Sequence, residues 1–193
     1  MSAKDQIYQI KVTLRHSKPP IWRRLLVPGD TTLHDLHRII QIAMGWTDSH
    51  LHQFVINGEY YGIPSGDDWY PVKDERKYRL AKVAGEQSKF IYEYDFGDSW
   101  EHEIKVEKIL PPDPKKSYPY CVKGKRACPP EDVGGIWGYE EFLEAMKDPA
   151  HEEHDTYVEW WGETFDPEAF DLDEVNRELQ ALKRKPVRRS APS

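Results

Sequence analysis

The residues best placed to do chemistry lie in the segment FIYEYDFGDSWEHEIKV, which runs from residue 90 to residue 106. Glu93, Asp95, Asp98 and His102 all fall within this segment. Carboxylates beside one imidazole can bind Mg²⁺, Mn²⁺ or Zn²⁺, and the same groups can orient a histidine for acid–base catalysis. They can also form a structural polar network that fixes the register of two strands. The segment therefore predicts a site but leaves these roles open.

A β-hairpin is the element that we expect to hold these side chains. Apolar and polar residues alternate on both sides of Gly97-Asp98, and a Gly-Asp pair suits a two-residue turn. This register places three pairs of residues opposite one another, namely Asp95 and Trp100, Glu93 and His102, and Ile91 and Ile104. The alternative is a three-residue loop, which places Tyr94 opposite His102 and moves Glu93 to the other face.

A second polar segment, YPYCVKGKRACPPEDVGG, occupies residues 118–135. Its Pro129-Pro130 pair stiffens the chain just before Glu131 and Asp132, and Gly134-Gly135 permits a close approach of the backbone. Loops of this length are uncommon in compact domains unless they serve a function. We therefore expect the acidic residues of this segment to converge on the hairpin turn.

The candidate site residues fall into three groups. The catalytic candidates are Asp95, Asp98, His102 and Glu131; the candidate metal ligands are Glu93, Asp95, His102, Cys121 and Cys128; and the candidates for ligand binding are Trp100, Asp132, Gly134 and Gly135. The cysteine pair is weak evidence by itself, because its spacing is wider than that of ordinary zinc modules. A divalent metal is the one cofactor that these residues suggest.

Three histidine pairs also have spacings compatible with metal binding. They are His34 and His37, His50 and His52, and His151 and His154. The pair at 50 and 52 is the best candidate, because alternate residues of a strand point to the same face. The last pair does not match the zinc motif His-Glu-x-x-His. We favour hydrogen-bonded structural roles for His50 and His52, and we interpret His34 and His37 as polar flanks of a helix.

Periodicity along the chain predicts a single α+β domain over residues 5–182. Alternating segments at residues 8–14 and 21–27 indicate a hairpin, and a helix over residues 32–44 follows it. We expect a mixed, mainly antiparallel sheet with that helix on one face and C-terminal helices packed on it. A β-grasp is the alternative, because the chain opens with a hairpin, a helix and a strand.

Charge and hydropathy disfavour several functional classes. No apolar run reaches the roughly 18 residues of a membrane span, and the N-terminus has no hydrophobic signal region, so we expect a cytoplasmic protein without membrane contact. Residues 183–193 form a basic tail, expected to be disordered, and residues 1–182 hold 22 basic and 34 acidic groups, a balance of −12. An acidic body disfavours nucleic-acid binding except through that tail. Walker, dinucleotide-binding and Gly-x-Ser-x-Gly motifs are absent from the sequence.

Three motifs carry a resemblance to a known family. They are LHQF at residues 51–54, YDFGDSWEH at 94–102, and the pattern Cys-x-x-Gly-x-Arg-Ala-Cys-Pro-Pro-Glu-Asp-x-Gly-Gly-x-x-Gly-Tyr at 121–139. Together with Ile21-Trp22-Arg23, they make the chain resemble the plasmid pRiA4b ORF-3-like family over about residues 5–165. The resemblance implies a compact α+β domain and an association with plasmids and mobile elements. It implies no catalytic residues.

The sequence supports, first, an intracellular ligand-binding or interaction module. Its site would lie between the hairpin turn and residues 121–135, and its partner would be a small molecule or a protein. The alternative is a metal-dependent hydrolase acting on phosphoesters through Asp95, Asp98, His102 and Glu131. A further alternative is a nucleic-acid accessory factor of mobile elements, which the acidic body disfavours.

Overall fold

A computed structural model of the protein describes residues 2–184. The strands of this part of the chain are β1 (Ile7–Leu14), β2 (Trp22–Pro28), β3 (His52–Ile56), β4 (Glu59–Gly62), β5 (Val72–Asp74), β6 (Lys89–Tyr94), β7 (Trp100–Leu110) and β8 (Tyr120–Lys125). The α-helices are α1 (Leu33–Met44), α2 (Leu80–Val83), α3 (Gly135–Lys147), α4 (His154–Trp161) and α5 (Leu172–Arg184). None of these helices is long and apolar enough to cross a membrane.

The strands form one sheet in the order β5-β4-β3-β6-β7-β1-β2-β8. Every neighbouring pair is antiparallel except β4 and β5, which pair in parallel at one edge. This arrangement confirms the predicted α+β class and the mixed, mainly antiparallel sheet. The β6–β7 hairpin lies inside the sheet, between β3 and β1, so both of its strands are held by neighbours.

The predicted helix after the first hairpin is α1. Thr32 caps it by accepting a hydrogen bond from the backbone N–H of Asp35 at 3.1 Å, and Gly45 ends it in the left-handed conformation with a φ of 111°. Its predicted apolar stripe is buried and comprises Leu33, Leu36, Ile39, Ile40 and Ala43. Helix α5 contacts both α1 and β8, which agrees with the expected packing of C-terminal helices.

A buried arginine fixes the end of α1. The Arg23 guanidinium donates hydrogen bonds to the carbonyl oxygens of Ala43 at 2.7 Å and Met44 at 3.3 Å. Helix C-termini attract cations because their last carbonyl groups are unpaired. Burial nevertheless lowers the pKa of Arg23 to about 10. The contact holds the start of the segment between α1 and β3, which carries part of the candidate site.

The β6–β7 hairpin differs from its predicted register. Its loop consists of residues 95–99, so Tyr94 lies opposite Trp100 and Tyr92 lies opposite His102. The predicted two-residue turn is therefore wrong, and so is the three-residue alternative. Glu93 points away from the core, on the opposite face of β6 from its buried neighbours.

The conformation of Asp95 explains this register. Its backbone has a φ of 62°, which takes the chain out of β6 before the expected turn. Its Oδ1 accepts hydrogen bonds from the N–H groups of Gly97 and Asp98, and its carbonyl oxygen accepts one from Ser99. Aspartate is one of the few non-glycine residues that adopt this conformation readily. The loop is thus built around a side chain rather than around a glycine turn.

In the observed register the aromatic residues of the hairpin face the core. The buried side chains are Phe90, Tyr92, Tyr94, Trp100, His102, Ile104 and Val106. The predicted basic tail at 183–193 lies outside the described residues, except for Lys183 and Arg184, which end α5.

Candidate metal centre

Three segments meet at the loop end of the β6–β7 hairpin. The segment between α1 and β3 carries His50, the hairpin loop begins with Asp95, and the segment before α3 carries Glu131 and Asp132. The side chains of all four residues approach one another. We call these four residues the His50 cluster.

Backbone contacts hold the three segments together. The N–H of Asp95 donates to the carbonyl oxygen of Leu51 at 2.8 Å, and the N–H of Gly134 donates to Asp98 Oδ2 at 3.1 Å. Gly135 has a φ of 71°, and a Cβ at this position would lie 2.7 Å from the carbonyl oxygen of Asp98. A glycine is therefore required where the third segment crosses the hairpin loop.

His50 lies at the centre of the cluster. Its Nε2 is 2.8 Å from Asp132 Oδ1, 3.6 Å from Asp95 Oδ2 and 3.9 Å from Glu131 Oε2. This nitrogen is shielded from solvent and makes no hydrogen bond within the described chain, so its contacts with the three carboxylates are charge contacts. Ligand atoms of His50, Asp95 and Asp132 lie within 4.8 Å of one another.

Glu131 is anchored through one carboxylate oxygen only. Its Oε1 accepts hydrogen bonds from the Thr47 N–H at 2.8 Å and the Tyr94 hydroxyl at 3.0 Å. The Tyr94 oxygen in turn accepts a hydrogen bond from the N–H of Ser49 at 2.9 Å. Glu131 Oε2 is buried and has no hydrogen-bond partner among the described residues. The anchoring leaves this second oxygen facing His50.

Asp95 is arranged in a similar way. Its Oδ1 is occupied by the N–H groups of its own loop, whereas its Oδ2 accepts no hydrogen bond from the described residues and faces His50. Asp132 also has a left-handed backbone, with a φ of 61°. Such conformations cost of order 1 kcal/mol or more and occur often at functional sites. Asp95 and Asp132, two of the four residues in the cluster, therefore both have the left-handed backbone conformation.

The cluster is closed on one side and open on the other. The side chain of Asp95 is 9% exposed and that of Glu131 is 18% exposed, whereas those of His50 and Asp132 are 30% and 64% exposed. An ion bound here would contact the shielded carboxylates of Asp95 and Glu131 on its inner side. Its outer side would remain accessible to water or to a ligand.

The donor set indicates the kind of ion that would fit. Three carboxylates and one imidazole suit Mn²⁺, Fe²⁺ or Zn²⁺, and carboxylates alone also suit Mg²⁺. Without a cation, three carboxylates would repel one another around a nitrogen that can offer at most one proton. A divalent ion, if bound, would satisfy His50 Nε2 and the free carboxylate oxygens at once.

Some predicted site residues lie close to this cluster and others do not. Asp98 and Gly134 join the hairpin loop to the third segment, beside the cluster. His102 and Trp100 are fully buried in the core. His102 Nε2 accepts a hydrogen bond from Trp46 at 3.1 Å, and its Nδ1 bonds to the carbonyl oxygen of Tyr92 at 3.0 Å. Burial lowers the pKa of His102 to about 4, so this residue is a neutral core histidine.

The remaining candidate metal ligands also lie apart from the cluster. Glu93, on the outer face of β6, accepts hydrogen bonds from Gln53 at 2.9 Å and Ser99 at 2.6 Å. Cys121 and Cys128 are free thiols. Within the described residues, two groups of side chains are close enough to share a metal ion, and neither contains a cysteine: one is His50, Asp95 and Asp132, and the other is His37, Asp48 and His52. Burial raises the pKa of Cys121 to about 11 and also raises that of Cys128, which disfavours the thiolate forms that bind metals.

A second group of ionisable residues lies between α1 and β3, and we call it the histidine network. It comprises His34, His37, Asp48, His52 and Glu75. The rings of His37 and His52 are stacked with centroids 3.4 Å apart. His37 bonds to Asp48 at 2.9 Å, and the fully buried Glu75 accepts hydrogen bonds from His52 at 2.6 Å and His34 at 3.2 Å.

The sequence pattern did not identify His50 as part of the hairpin site. It predicts that His50 and His52 share one face of a strand, but β3 begins only at His52. The two rings therefore join different groups, His50 near Asp95 and His52 beside Glu75. The one available signal was the position of His50 directly before the LHQF motif.

Comparisons with known proteins agree with this architecture. A family model described as "Plasmid pRiA4b ORF-3-like protein" matches residues 6–174. The chain is 40% identical over 188 residues to "Uncharacterized protein y4hQ" of Sinorhizobium fredii, covering 95% of this chain and 96% of that protein. It is also similar to the crystal structure of a protein of unknown function, MM3350 from Methanosarcina mazei Go1. The TM-score is 0.81 and the identity 43%, over 88% of this chain and 97% of the other. The chain thus belongs to the plasmid pRiA4b ORF-3-like family.

Proposed function

We propose that this protein is a ligand-binding domain whose ligand is a divalent metal ion held by the His50 cluster. The observation that carries the proposal is the pair of buried atoms His50 Nε2 and Glu131 Oε2, which face the same small space and make no hydrogen bond within the described residues. Buried polar atoms in folded proteins nearly always have partners, so an atom without one calls for a missing ligand. Two such atoms 3.9 Å apart, with two further carboxylates beside them, match the ligands that a divalent ion prefers, and this match supports the proposal.

Electrostatics supports the same proposal. The three segments of the site, residues 46–52, 93–101 and 129–139, contain no lysine or arginine. These segments therefore contain no lysine or arginine side chain that could offset the negative charge of the carboxylates. A bound ion with two positive charges would supply that balance. The protein's affinity for the ion would decrease as the pH is lowered, because an imidazole must be neutral to coordinate a metal.

Metal-dependent hydrolysis of phosphoesters is the second candidate function. It is favoured by the exposure of Asp132 and His50, which would leave outer coordination positions of the ion open to water. A bound water of lowered pKa is the usual nucleophile in such reactions. His102 plays no part in this version, since both of its ring nitrogens are engaged in the core. Turnover of a chromogenic phosphodiester by the Mn²⁺-loaded protein, lost in Asp132→Asn, would support it.

The test of the metal proposal is calorimetric titration of chelator-treated protein with Mn²⁺ and Zn²⁺. We expect one ion per chain with a micromolar or lower Kd, and a loss of at least 100-fold in the double variant His50→Ala/Asp132→Asn. The matched control is His151→Ala/Asp155→Asn, which removes one histidine and one aspartate far along the chain. Equal binding by both double variants, or a wild-type Kd above 1 mM, would overturn the proposal.

A further inference from the structure

A cavity lies apart from the His50 cluster, between α3, α4 and the chain that follows α4. Its volume is about 680 Å³, which is within the range of small-molecule sites. The cavity walls include Leu143, Met146, Val158 and Phe165. Four apolar side chains from three segments thus line a cleft that opens to the surface, where Val158 is 40% exposed.

Positive groups lie at the same cavity. Arg126 lines it although its side chain is only 9% exposed, and Lys147 lines it from the end of α3. Arg126 uses Nε to bond Glu168 at 2.9 Å and Nη1 to bond the carbonyl oxygen of Pro19 at 2.9 Å. Its Nη2 has no hydrogen-bond partner among the described residues. One edge of a mostly buried guanidinium is therefore available to a ligand.

The other charged groups at the cavity lie at its rim. Lys147 and Glu163 both line the cavity and are both exposed, and the carboxylate of Glu168, which pairs with Arg126, is 67% exposed. Solvent screens exposed charges more than buried ones, so Arg126 is the charged side chain of the lining that is least screened. His154 also lines the cavity, and its Nδ1 bonds to the carbonyl oxygen of Ala145 at 2.6 Å. Its Nε2 remains available for a further hydrogen bond.

The aromatic wall has an unusual feature. Phe165 packs against Tyr139 and Trp161, with ring centroids 6.1 Å and 5.5 Å away. The Tyr139 hydroxyl and the Trp161 Nε1 are both buried without a hydrogen-bond partner in the described chain. Two unsatisfied donors beside one cavity wall are uncommon in a well-packed region. The polar groups around this cavity wall therefore lack part of the hydrogen bonding that buried groups usually have.

We infer that this cavity binds a small carboxylate with an apolar body, such as a medium-chain or aryl-alkyl acid. The carboxylate would meet Arg126 and Lys147, and the apolar body would lie between α3 and α4 against Met146, Val158 and Phe165. Arginine forms charge-assisted hydrogen bonds with carboxylates, and Arg126 Nη2 can donate such a bond while Nε and Nη1 keep their bonds to Glu168 and Pro19. The inference does not depend on the metal proposal, because the two sites share no residue.

The experiment uses three probes with the same chain length, octanoate, octylamine and octanol, titrated into the chelator-treated full chain. We expect octanoate to bind with a stoichiometry of one and at least tenfold tighter than the other two. Val158→Trp, which fills the cavity, should weaken octanoate binding at least tenfold, and Lys147→Gln should weaken it several-fold. Val122→Trp, a substitution on the exposed surface of β8, is the matched control and should bind as the wild type does.

Two results would overturn the inference. One is binding of octylamine or octanol as tight as that of octanoate, which would show that no positive site reads the carboxylate. The other is unchanged octanoate binding in Val158→Trp, which would place the probe elsewhere. If Val158→Trp does not fold, unchanged octanoate affinity in Lys147→Gln counts against the inference in the same way.

Discussion

The His50 cluster and the histidine network contain the same kinds of residue and lie on neighbouring parts of the chain, but their hydrogen bonding differs. In the network, both carboxylate oxygens of Glu75 accept hydrogen bonds from imidazoles, and both ring nitrogens of His37 are engaged. In the His50 cluster, His50 Nε2 and Glu131 Oε2 are buried without partners. Among the described residues, the histidine network therefore leaves no buried side-chain nitrogen or oxygen without a hydrogen-bond partner, whereas the His50 cluster leaves two.

This difference shows how similar residues can serve opposite purposes. A buried polar network whose every member is paired stabilises and orders the structure around it. A cluster with unpaired atoms costs stability unless a ligand binds. Proximity of histidines and carboxylates therefore does not distinguish a structural network from a site. The hydrogen-bond state of each atom does, and the following predictions test that criterion.

The largest effect is expected for Glu75→Ala. Burial alone would raise the pKa of Glu75, but hydrogen bonds from His34 and His52 hold it at about 2. Removing the carboxylate leaves two imidazoles without their acceptor, so the free energy of unfolding should fall by roughly 3–5 kcal/mol. Denaturant unfolding in chelator measures this loss. Mn²⁺ affinity at 25 °C should remain within threefold of wild type, and a large loss of affinity would show that the two groups are not separate.

Acid should destabilise the protein through the network. Burial and the neighbouring His52 lower the pKa of His37 from 6.5 to about 4, so the unfolded chain binds more protons at intermediate pH. The contribution of His37 should therefore be constant above pH 6.5 and fall by about 3 kcal/mol as the pH drops from 6.5 to 4. His102 acts in the same direction, and Glu75 adds a loss between 4.5 and 2.

Urea unfolding at pH 7, 6, 5 and 4.5 in chelator measures this slope. The His37→Gln variant should be less stable at pH 7 but should show a shallower loss on acidification, because one proton-linked group is gone. A slope as steep as that of the wild type would contradict the assignment of the pH dependence to His37.

Metal should stabilise the protein only through the His50 cluster. An ion present at 100 times its Kd adds about 2.7 kcal/mol to the free energy of unfolding, which corresponds to a rise in Tm of roughly 5–10 °C for a chain of this size. Asp95→Asn should abolish most of this rise. In chelator the same variant should be no less stable than the wild type, since it removes a repelling charge. Differential scanning calorimetry with and without Mn²⁺ provides the measurement, and an equal rise in Asp95→Asn would contradict it.

Most of the fold could be predicted because strong local signals agree with the final packing. The stripe from Leu33 to Ala43, with Thr32 before it and Gly45 after it, is enough to place α1. The hairpin strands were also evident, but their register was not, because the Gly97-Asp98 pair suggested a turn that Asp95 prevents. Side-chain capping of a loop depends on one residue's backbone conformation, which periodicity does not reveal.

The candidate site was predictable only in part, for a different reason. Asp95, Glu131 and Asp132 belong to the predicted residues, and their proximity depends on how a loop crosses the hairpin. His50 lies 45 residues before Asp95 in the sequence, and no local pattern connects the two. His102 was predicted as a site residue because its imidazole is ionisable, but its position in β7 buries it in the core. Long-range contacts and burial decide which ionisable residues remain available.

The smallest effect is expected for Tyr94→Phe, which tests how the cluster is held rather than whether it binds. The hydroxyl of Tyr94 accepts from the Ser49 N–H and donates to Glu131 Oε1, so its loss should leave Glu131 held by Thr47 alone and less firmly oriented. Groups that orient metal ligands typically contribute 10- to 100-fold in affinity. We expect the Mn²⁺ Kd to rise about tenfold, equivalent to roughly 1.4 kcal/mol, with the stoichiometry of one ion per chain unchanged. Tyr92→Phe removes the equivalent hydroxyl from the histidine network and should leave the Kd unchanged, because the Tyr92 hydroxyl contacts His37 and Gln41 instead. If both variants weaken binding equally, the two groups respond as one unit, and a complete hydrogen-bond network would no longer distinguish structure from site in this protein.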